Sequence, residues 1–331
     1  MSKIAVKQID VFTTKPFSGN PAGVIPGADG LDTADMQRIA AELNLAESCF
    51  IQKPESAESS FKVRFFTQSV ELDLSSHALI AACFAALEEG SVALQSGVTE
   101  IRCDTKIGGV PLEIHFDAGT VDPDATPSQD EVLLSCRNGQ TGKLRRIMIH
   151  QLRNDIRSAD IPMPELAGIL GIDEHEIKGM GLPLEVFTHG LKQLVIPIMH
   201  RETLVSMRPD LIKLNLLNKR YDVQTNDLFT LEAMSSDSIA YSRTFSPAIG
   251  LWEDLGSGSG AGSIAAYLAR HHVLHPGSVI VEQGTDSEHL VRIFVDVGEN
   301  DGATIPLRIG GLAVICLEQE ISLEGEMVMV E

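Results

Sequence analysis

Parts of this chain occur twice, and no other feature constrains its fold as strongly. The segment VIPGADGLDTADMQRIAAEL begins at Val24, and VIPIMHRETLVSMRPDLIKL begins at Val195. In register they share Val-Ile-Pro, a methionine (Met36 and Met207) and a closing leucine (Leu43 and Leu214). Each reads as a strand, a loop with a capping residue and an amphipathic helix. Internal similarity of this kind marks a duplicated unit. In the first copy Asp32 or Thr33 is the expected N-cap, and Asp35 suits the positive helix end. Met36, Ile39, Ala40 and Leu43 form the apolar stripe, and Asn44 is the expected left-handed stop.

A second echo follows the first. Arg64-Phe65-Phe66-Thr67 leads to Leu74-Ser75-Ser76-His77 and the helix ALIAACFAAL, while Arg243-Thr244-Phe245-Ser246 leads through residues 254–260 to the helix SIAAYLAR. Both helices carry Ile-Ala-Ala and are small and apolar on most faces, which marks a helix enclosed by other structure. The chain is therefore expected to repeat a unit in which a curved sheet wraps a central helix. Residues 1–120 form the first half, a polar Gly- and Pro-containing stretch at 121–131 is the linker, and 132–310 form the second half. Two final strands around Gly310-Gly311 are expected, with 311–331 returning to the N-terminal half. Concave sites form where domains meet, so a ligand is expected between the halves, near one helix N-terminus from each.

Composition narrows the function. With 26 Lys+Arg against 46 Asp+Glu the net charge is −20, which disfavours nucleic acid and anionic lipid as partners. Five scattered cysteines without a C-x-x-C pair read as reduced thiols, with neither a disulfide frame nor a zinc site. The N-terminal segment lacks an apolar h-region, and the longest apolar run, 78–87, is too short to span a bilayer. A soluble cytoplasmic protein is expected.

Several residues are candidates for chemistry. Glu47 opens an apolar strand, where a solvated glutamate is the bland alternative. His77 starts a buried helix whose positive end favours a neutral imidazole, and a structural histidine is its alternative reading. Asp254 holds the corresponding place in the second half, where it could also cap the helix or its loop. The tract 256–262 matches G-x-G-x-x-A, yet the strand–helix–strand unit and the ribose-binding acid of a dinucleotide site are not evident. An anion cradle opening a helix fits it better. His271 and His275 have metal-like spacing, but histidines at a helix C-terminus also answer its dipole. Cys49 has no visible activating partner, and Ser259 lacks a nucleophile elbow.

Taken together these residues resemble the PhzF-like phenazine-biosynthesis isomerase family, which has the diaminopimelate-epimerase fold. The resemblance rests on the opening Asp10-Val11-Phe12-Thr13 and Pro16-Phe17-Ser18-Gly19-Asn20-Pro21-Ala22, on 41–48 around Glu47, and on Phe66-Thr67 through His77-Ala78. Phe245-Ser246-Pro247, Glu253-Asp254 with Ser257-Gly258-Ser259, Glu282-Gln283-Gly284 and Gly310-Gly311 extend it over nearly the whole chain. It implies an α+β fold of two similar, pseudo-symmetric domains, each a mostly antiparallel sheet around a helix, with the active site between them.

By that resemblance Glu47 is the general acid/base, with His77 and Asp254 as its partners in proton transfer and positioning. Gly258 and Ser259 match residues that bind the substrate carboxylate, and Asn20 and Ser76 join them as substrate-binding candidates. No cofactor and no metal is implied, the substrate is a small anion, and homodimers are common. The chain departs from the pattern at Ser76 (glycine), Ala46 (serine) and Leu255 (proline), and at 287–292 in place of Arg-Pro-Ser. Those departures point to a small carboxylated substrate other than the phenazine precursor. Neither helix-start loop contains a cysteine, which disfavours a two-thiol racemase. Attraction of the anion is expected from the helix ends and from Arg64 or Arg243. The expected function is a cofactor-independent isomerase; the alternative is a non-catalytic small-ligand-binding protein on the same fold.

Overall fold

The computed structural model describes residues 3–122, 128–151, 155–284, 289–299 and 304–322. Residues 123–127 of the expected linker, 287–288 of the departing segment and 323–331 of the expected final strands lie outside the described residues. By internal contacts the chain divides into two compact units. One comprises Met1–Phe17, Pro21–Ile147 and Leu312–Glu331; the other comprises Ser18–Asn20 and Met148–Gly311.

The first unit contains β1 (Lys3–Val11), all but the first residue of β2 (Asn20–Ile25), α1 (Thr33–Leu43), β3 (Glu47–Gln52), β4 (Phe61–Phe66) and β5 (Glu71–Leu72). It continues with α2 (Ser76–Glu88), β6 (Gly97–Thr105), β7 (Gly108–Ala118), β8 (Val132–Ser135) and most of β9 (Thr141–Gln151). The second unit opens with β10 (Asp155–Ser158), α3 (Met163–Leu170), α4 (Glu174–Lys178), β11 (Glu185–His189), β12 (Leu191–Pro197), α5 (Arg201–Ser206) and α6 (Leu211–Tyr221). There follow β13 (Thr225–Thr230), β14 (Ala240–Ser246), β15 (Leu251–Asp254), α7 (Gly258–Arg270), β16 (Gly277–Gly284), β17 (Leu290–Val297) and β18 (Leu307–Gly311). Finally β19 (Ala313–Ser322) pairs antiparallel with β1 in the first unit.

The polar stretch at 121–131 is not where the units divide. β9 pairs with both β7 and β8, so the stretch joins strands of one sheet inside the first unit, and the division falls at Ile147/Met148. Polar composition marks a solvated connection, and a loop within a sheet satisfies that as well as an interdomain linker does.

The duplication is visible strand by strand. In the first unit β2 runs parallel to β3, β3 antiparallel to β4, β4 antiparallel to β5 and parallel to β6, and β6 antiparallel to β7. In the second, β12, β13, β14, β15, β16 and β17 repeat that series. Each unit has two parallel pairings in this series, and the rest are antiparallel. Parallel neighbours need a crossover. α1 supplies it between β2 and β3, with Asp32 capping the Asp35 N–H at 2.8 Å and Asn44 ending the helix at φ 53°. Met36, Ile39 and Ala40 pack on Ile25, Phe50 and Phe66, with Leu43 partly buried beside them.

The second crossover differs from the single helix its sequence suggests. α5 ends at Ser206 and α6 starts at Leu211, with Asp210 capping the Lys213 N–H at 3.1 Å. Pro209 breaks the run: it lacks an N–H and pushes the preceding residue out of the helical region.

Opposite these crossovers, α2 and α7 are buried all round. Residues 77–87 of α2 are all buried, as is α7 from Gly260 to Ala269. α2 packs on β1, β3, β4 and β19, while α7 packs on β12, β13, β16, β17 and β18.

Each unit also carries the same arginine clamp. Arg64 binds Glu71 through two parallel bonds of 2.8 and 3.0 Å and lies over Phe66 at 5.2 Å. Arg243 binds Glu253 at 2.7 and 2.9 Å and lies over Phe245 at 4.9 Å. Bidentate pairing of this kind fixes a short strand against its neighbour. Arg243 additionally donates to the carbonyls of Leu204, Val205 and Met207 at the end of α5. Replacing it leaves those carbonyls and Glu253 without their donor, whereas Arg64 is nearer the surface. Arg243→Met should therefore cost about 3 kcal/mol or more and Arg64→Met about 1 kcal/mol, measured by urea unfolding.

Candidate active site

In the first unit a carboxylate, a hydroxyl and an imidazole meet at the start of α2. Glu47 is the first residue of β3, directly after the Asn44 helix stop, and is half-buried. Ser75 is the N-cap of α2: its Oγ accepts the Ala78 N–H at 3.3 Å and donates to Glu47 Oε2. His77, the second residue of the helix, is 7% exposed and places Nδ1 3.4 Å from Glu47 Oε2 and 3.5 Å from Ser75 Oγ. Its Nε2 is buried and has no hydrogen-bond partner among the described residues. Leaving such an atom unsatisfied costs about 1–3 kcal/mol, which a polar ligand would recover. Ser76, between Ser75 and His77, is half-buried.

The second unit builds a related set at the start of α7. Ser257 is the N-cap and accepts the Gly260 N–H at 3.1 Å. Gln283 of β16 accepts the Ser257 N–H at 2.9 Å and donates to the Asp254 carbonyl at 2.6 Å. Asp254 Oδ1 accepts the Gly256 N–H at 3.2 Å and the Asn20 amide at 2.9 Å; the same amide nitrogen donates to the Gly256 carbonyl at 2.9 Å. Asn20 is thus a buried brace for this loop. Burial raises the Asp254 carboxyl above its ordinary range, opposed by the Gly256 and Asn20 donors. Gly258 is buried and Ser259 half-buried, with Ser259 Oγ accepting from Gln193 Nε2 at 2.9 Å. The chain's single tryptophan, Trp252, lies two residues before Asp254 and is 57% exposed.

Beneath α7 lies Asp227 of β13, which the sequence reading did not single out. It is wholly inaccessible, and its Oδ1 accepts the Thr244 hydroxyl at 2.8 Å. Burial pushes its carboxyl up to about 7, against the Thr244 and Thr225 hydroxyls and helped by the charge of Asp254. A Cβ at Gly260 would stand 2.5 Å from Asp227 Oδ1, so glycine there is a packing requirement. Ser75, Gln283 and Asp227 escaped sequence reading because their roles depend on strand register; only Ser75, one residue before an apolar helical run, carried a local capping signal.

The structure corrects several other expectations. Asp254 is not the positional counterpart of His77: counting from the N-caps Ser75 and Ser257, that counterpart is Ser259. Arg64 and Arg243 are taken up by their glutamates, so neither is a loose cation for an anion. In the tract 256–262 the N–H groups of Gly256, Ser257 and Gly260 are held by protein acceptors, and Asp227 and Asp254 lie beside it. With those three N–H groups already held, the tract lacks the row of open donors a pyrophosphate needs, which removes the dinucleotide reading. His271 bonds Glu185 at 3.0 Å and packs on Tyr267. Cys49 is fully buried with its thiol raised by desolvation and by Glu47, the opposite of an activated nucleophile.

A model of the phenazine biosynthesis-like proteins matches residues 9–319. The chain belongs to the phenazine biosynthesis-like protein family. Among its relatives, the uncharacterized isomerase YddE of Escherichia coli (strain K12) is 31% identical over 97% of this chain and 99% of its own length. Trans-2,3-dihydro-3-hydroxyanthranilate isomerase of Pseudomonas aeruginosa is 28% identical over 86% of this chain and 87% of its own. The crystal structure of the Bacillus anthracis phenazine biosynthesis protein of the PhzF family superposes with a TM-score of 0.80 at 26% identity, covering 98% of this chain and 100% of that one. Membership in the phenazine biosynthesis-like family places the chain among isomerases with this two-unit α+β fold.

Asp227 gives this family member a testable pH signature. Its folded carboxyl titrates near 7, above the roughly 3.9 of an unfolded aspartate, so the folded state holds the extra proton between those values. Stability is then greatest at the acid end of that window and falls as pH rises through about 7. Asp227→Asn should remove this component of the slope, as read from urea midpoints between pH 5 and 8.5.

Proposed function

We propose that this protein is a cofactor-independent isomerase that moves a proton on a small carboxylated substrate, with Glu47 as general acid/base. The observation that carries the reading is the meeting of Glu47, Ser75 and His77 at the start of α2, where His77 Nε2 is buried without a partner among the described residues. A solvated strand-end glutamate would have no such company. Glu47 accepts a proton from carbon, the C–H electron pair forms a new double bond to the adjacent carbon, the original π pair moves to the far carbon, and the carboxylic acid returns the proton there. Substrate and product are isomers, so no electrons are gained or lost. General acid–base transfer of this kind contributes about 10²–10⁴ in rate.

His77 takes a polar group of the substrate through Nε2, with Ser76 beside it. In the second unit Asp254 is the proposed partner group, Gly258 and Ser259 bind the carboxylate, and Asn20 acts by holding Asp254. A relative named for a hydroxyanthranilate supports a small, ring-type carboxylic acid as the substrate class. The departures at Ser76, Ala46 and Leu255 support a compound other than that one. The family resemblance also supports a cytoplasmic homodimer, and light scattering should return twice the 35.8 kDa chain mass.

The test is proton NMR in heavy water with a panel of unsaturated and hydroxylated carboxylic acids, including trans-2,3-dihydro-3-hydroxyanthranilate. Deuterium incorporation or isomerisation should appear with the wild type and fall by about 10² or more with Glu47→Gln. Equal turnover by both proteins would overturn the role of Glu47.

A further inference from the structure

The two units carry one equivalent row of residues whose chemistry has been exchanged. Across β2, β3, β4 and β5 the ladder sets Val24, Cys49, Phe65 and Leu72 side by side. Across β12, β13, β14 and β15 the same row reads Val195, Asp227, Thr244 and Asp254. Three consecutive apolar or weakly polar positions have become carboxyl, hydroxyl and carboxyl. The helix above has changed with them: counting from the N-caps, Ala78 of α2 corresponds to Gly260 of α7, where Asp227 leaves no space for a Cβ. Burying an ionised carboxylate costs far more than burying a thiol, so a row rebuilt at three points and cleared above answers to something other than packing.

We propose that Asp227 is a positioning residue for Asp254: the two carboxyls, with Thr244 between them, hold one negative charge, and Asp227 keeps the proton so that Asp254 meets the substrate ionised. The proposal rests on the reading that Asp254 takes part in the reaction. The partners decide where the charge sits. Asp254 is half-buried and accepts two N–H donors, from Asn20 and Gly256. Asp227 is inaccessible and accepts the Thr244 hydroxyl, so its charged form is the worse solvated. Two carboxylates separated by a single strand lie roughly 10 Å apart at Cα, close enough for each to resist ionisation of the other in a desolvated setting.

Among the described residues, the surrounding elements bring no cation to cancel the pair. β12 presents Gln193, which is bonded to Ser259 and Ser263 of α7, and β16 presents Gln283. The charged neighbours along β14 and β15, Arg243 and Glu253, bind each other. The upward displacement of both carboxyls agrees with this arrangement.

The experiment is a carbon-13 NMR titration of aspartate carboxyls, labelled at Cγ, from pH 4 to 9 in the whole protein. Asp227 should titrate near neutrality in the wild type, and its midpoint should fall by roughly half a pH unit or more in Asp254→Asn. Thr244→Val, which removes the hydroxyl donor without touching either carboxyl, should raise it. A midpoint below about 5, or one that ignores Asp254→Asn, overturns the proposal. In the exchange assay the wild-type rate should fall above pH 7, and Asp227→Asn should lose that alkaline limb; a limb that persists in Asp227→Asn also overturns it. The titration is read without substrate, so a failure of Glu47→Gln to lose activity would sink the proton-transfer reading while leaving this result intact.

Discussion

A helix enclosed on every side has no solvent to satisfy the N–H groups of its first turn. In this protein that constraint arises twice, at α2 and at α7, and most of the candidate chemistry hangs on how it is met. Both helices use a serine cap, and in both the cap is tied into the sheet. Ser75 donates its hydroxyl hydrogen bond to Glu47, while Ser257 has its own N–H held by Gln283. The small residues that let each helix be buried therefore lead directly to a polar cluster at its start. Without the enclosure these serines would cap into water, and neither carboxylate would have been drawn out of it.

Features with a local cause were legible before any coordinates. The Asp32 cap, the apolar stripe of α1 and the Asn44 stop each depend on residues within a few positions, and each stands where the spacing put it. The duplicated segments were legible for the same reason, since strand and crossover recur with the same short signals. What failed were inferences that need register. Arg64 and Arg243 looked like available cations because nothing local marks Glu71 and Glu253, seven and ten residues on, as their partners. Asp227 lies in a strand of mixed polarity, TNDLFT, and nothing local sets it apart until Thr244 and Asp254 are placed beside it. The polar stretch at 121–131 read as a linker because composition carries no information about which strands a connection joins.

The duplication also shows how one scaffold can hold unlike chemistry. Glu47 and Thr225 hold equivalent strand positions, as do Cys49 and Asp227, and His77 and Ser259 follow equivalent caps. The arginine clamps, by contrast, are retained in both units with nearly the same geometry. So are the loops gathered by a carboxylate from a parallel strand: Asp104 holds the N–H groups of Glu55 and Ser56, and Glu282 those of Met234 and Ser235. Interactions that fix strand order have been kept, and those at the helix starts have diverged.

The position of Trp252 has an optical consequence. Because the chain's single tryptophan is 57% exposed and sits on the strand that ends in Asp254, its emission is set by that strand's surroundings. Indole fluorescence will be red-shifted in the native protein and nearly blind to melting of either core. It will respond instead to whatever settles against β15, so the molecule carries its own dye two residues from Asp254.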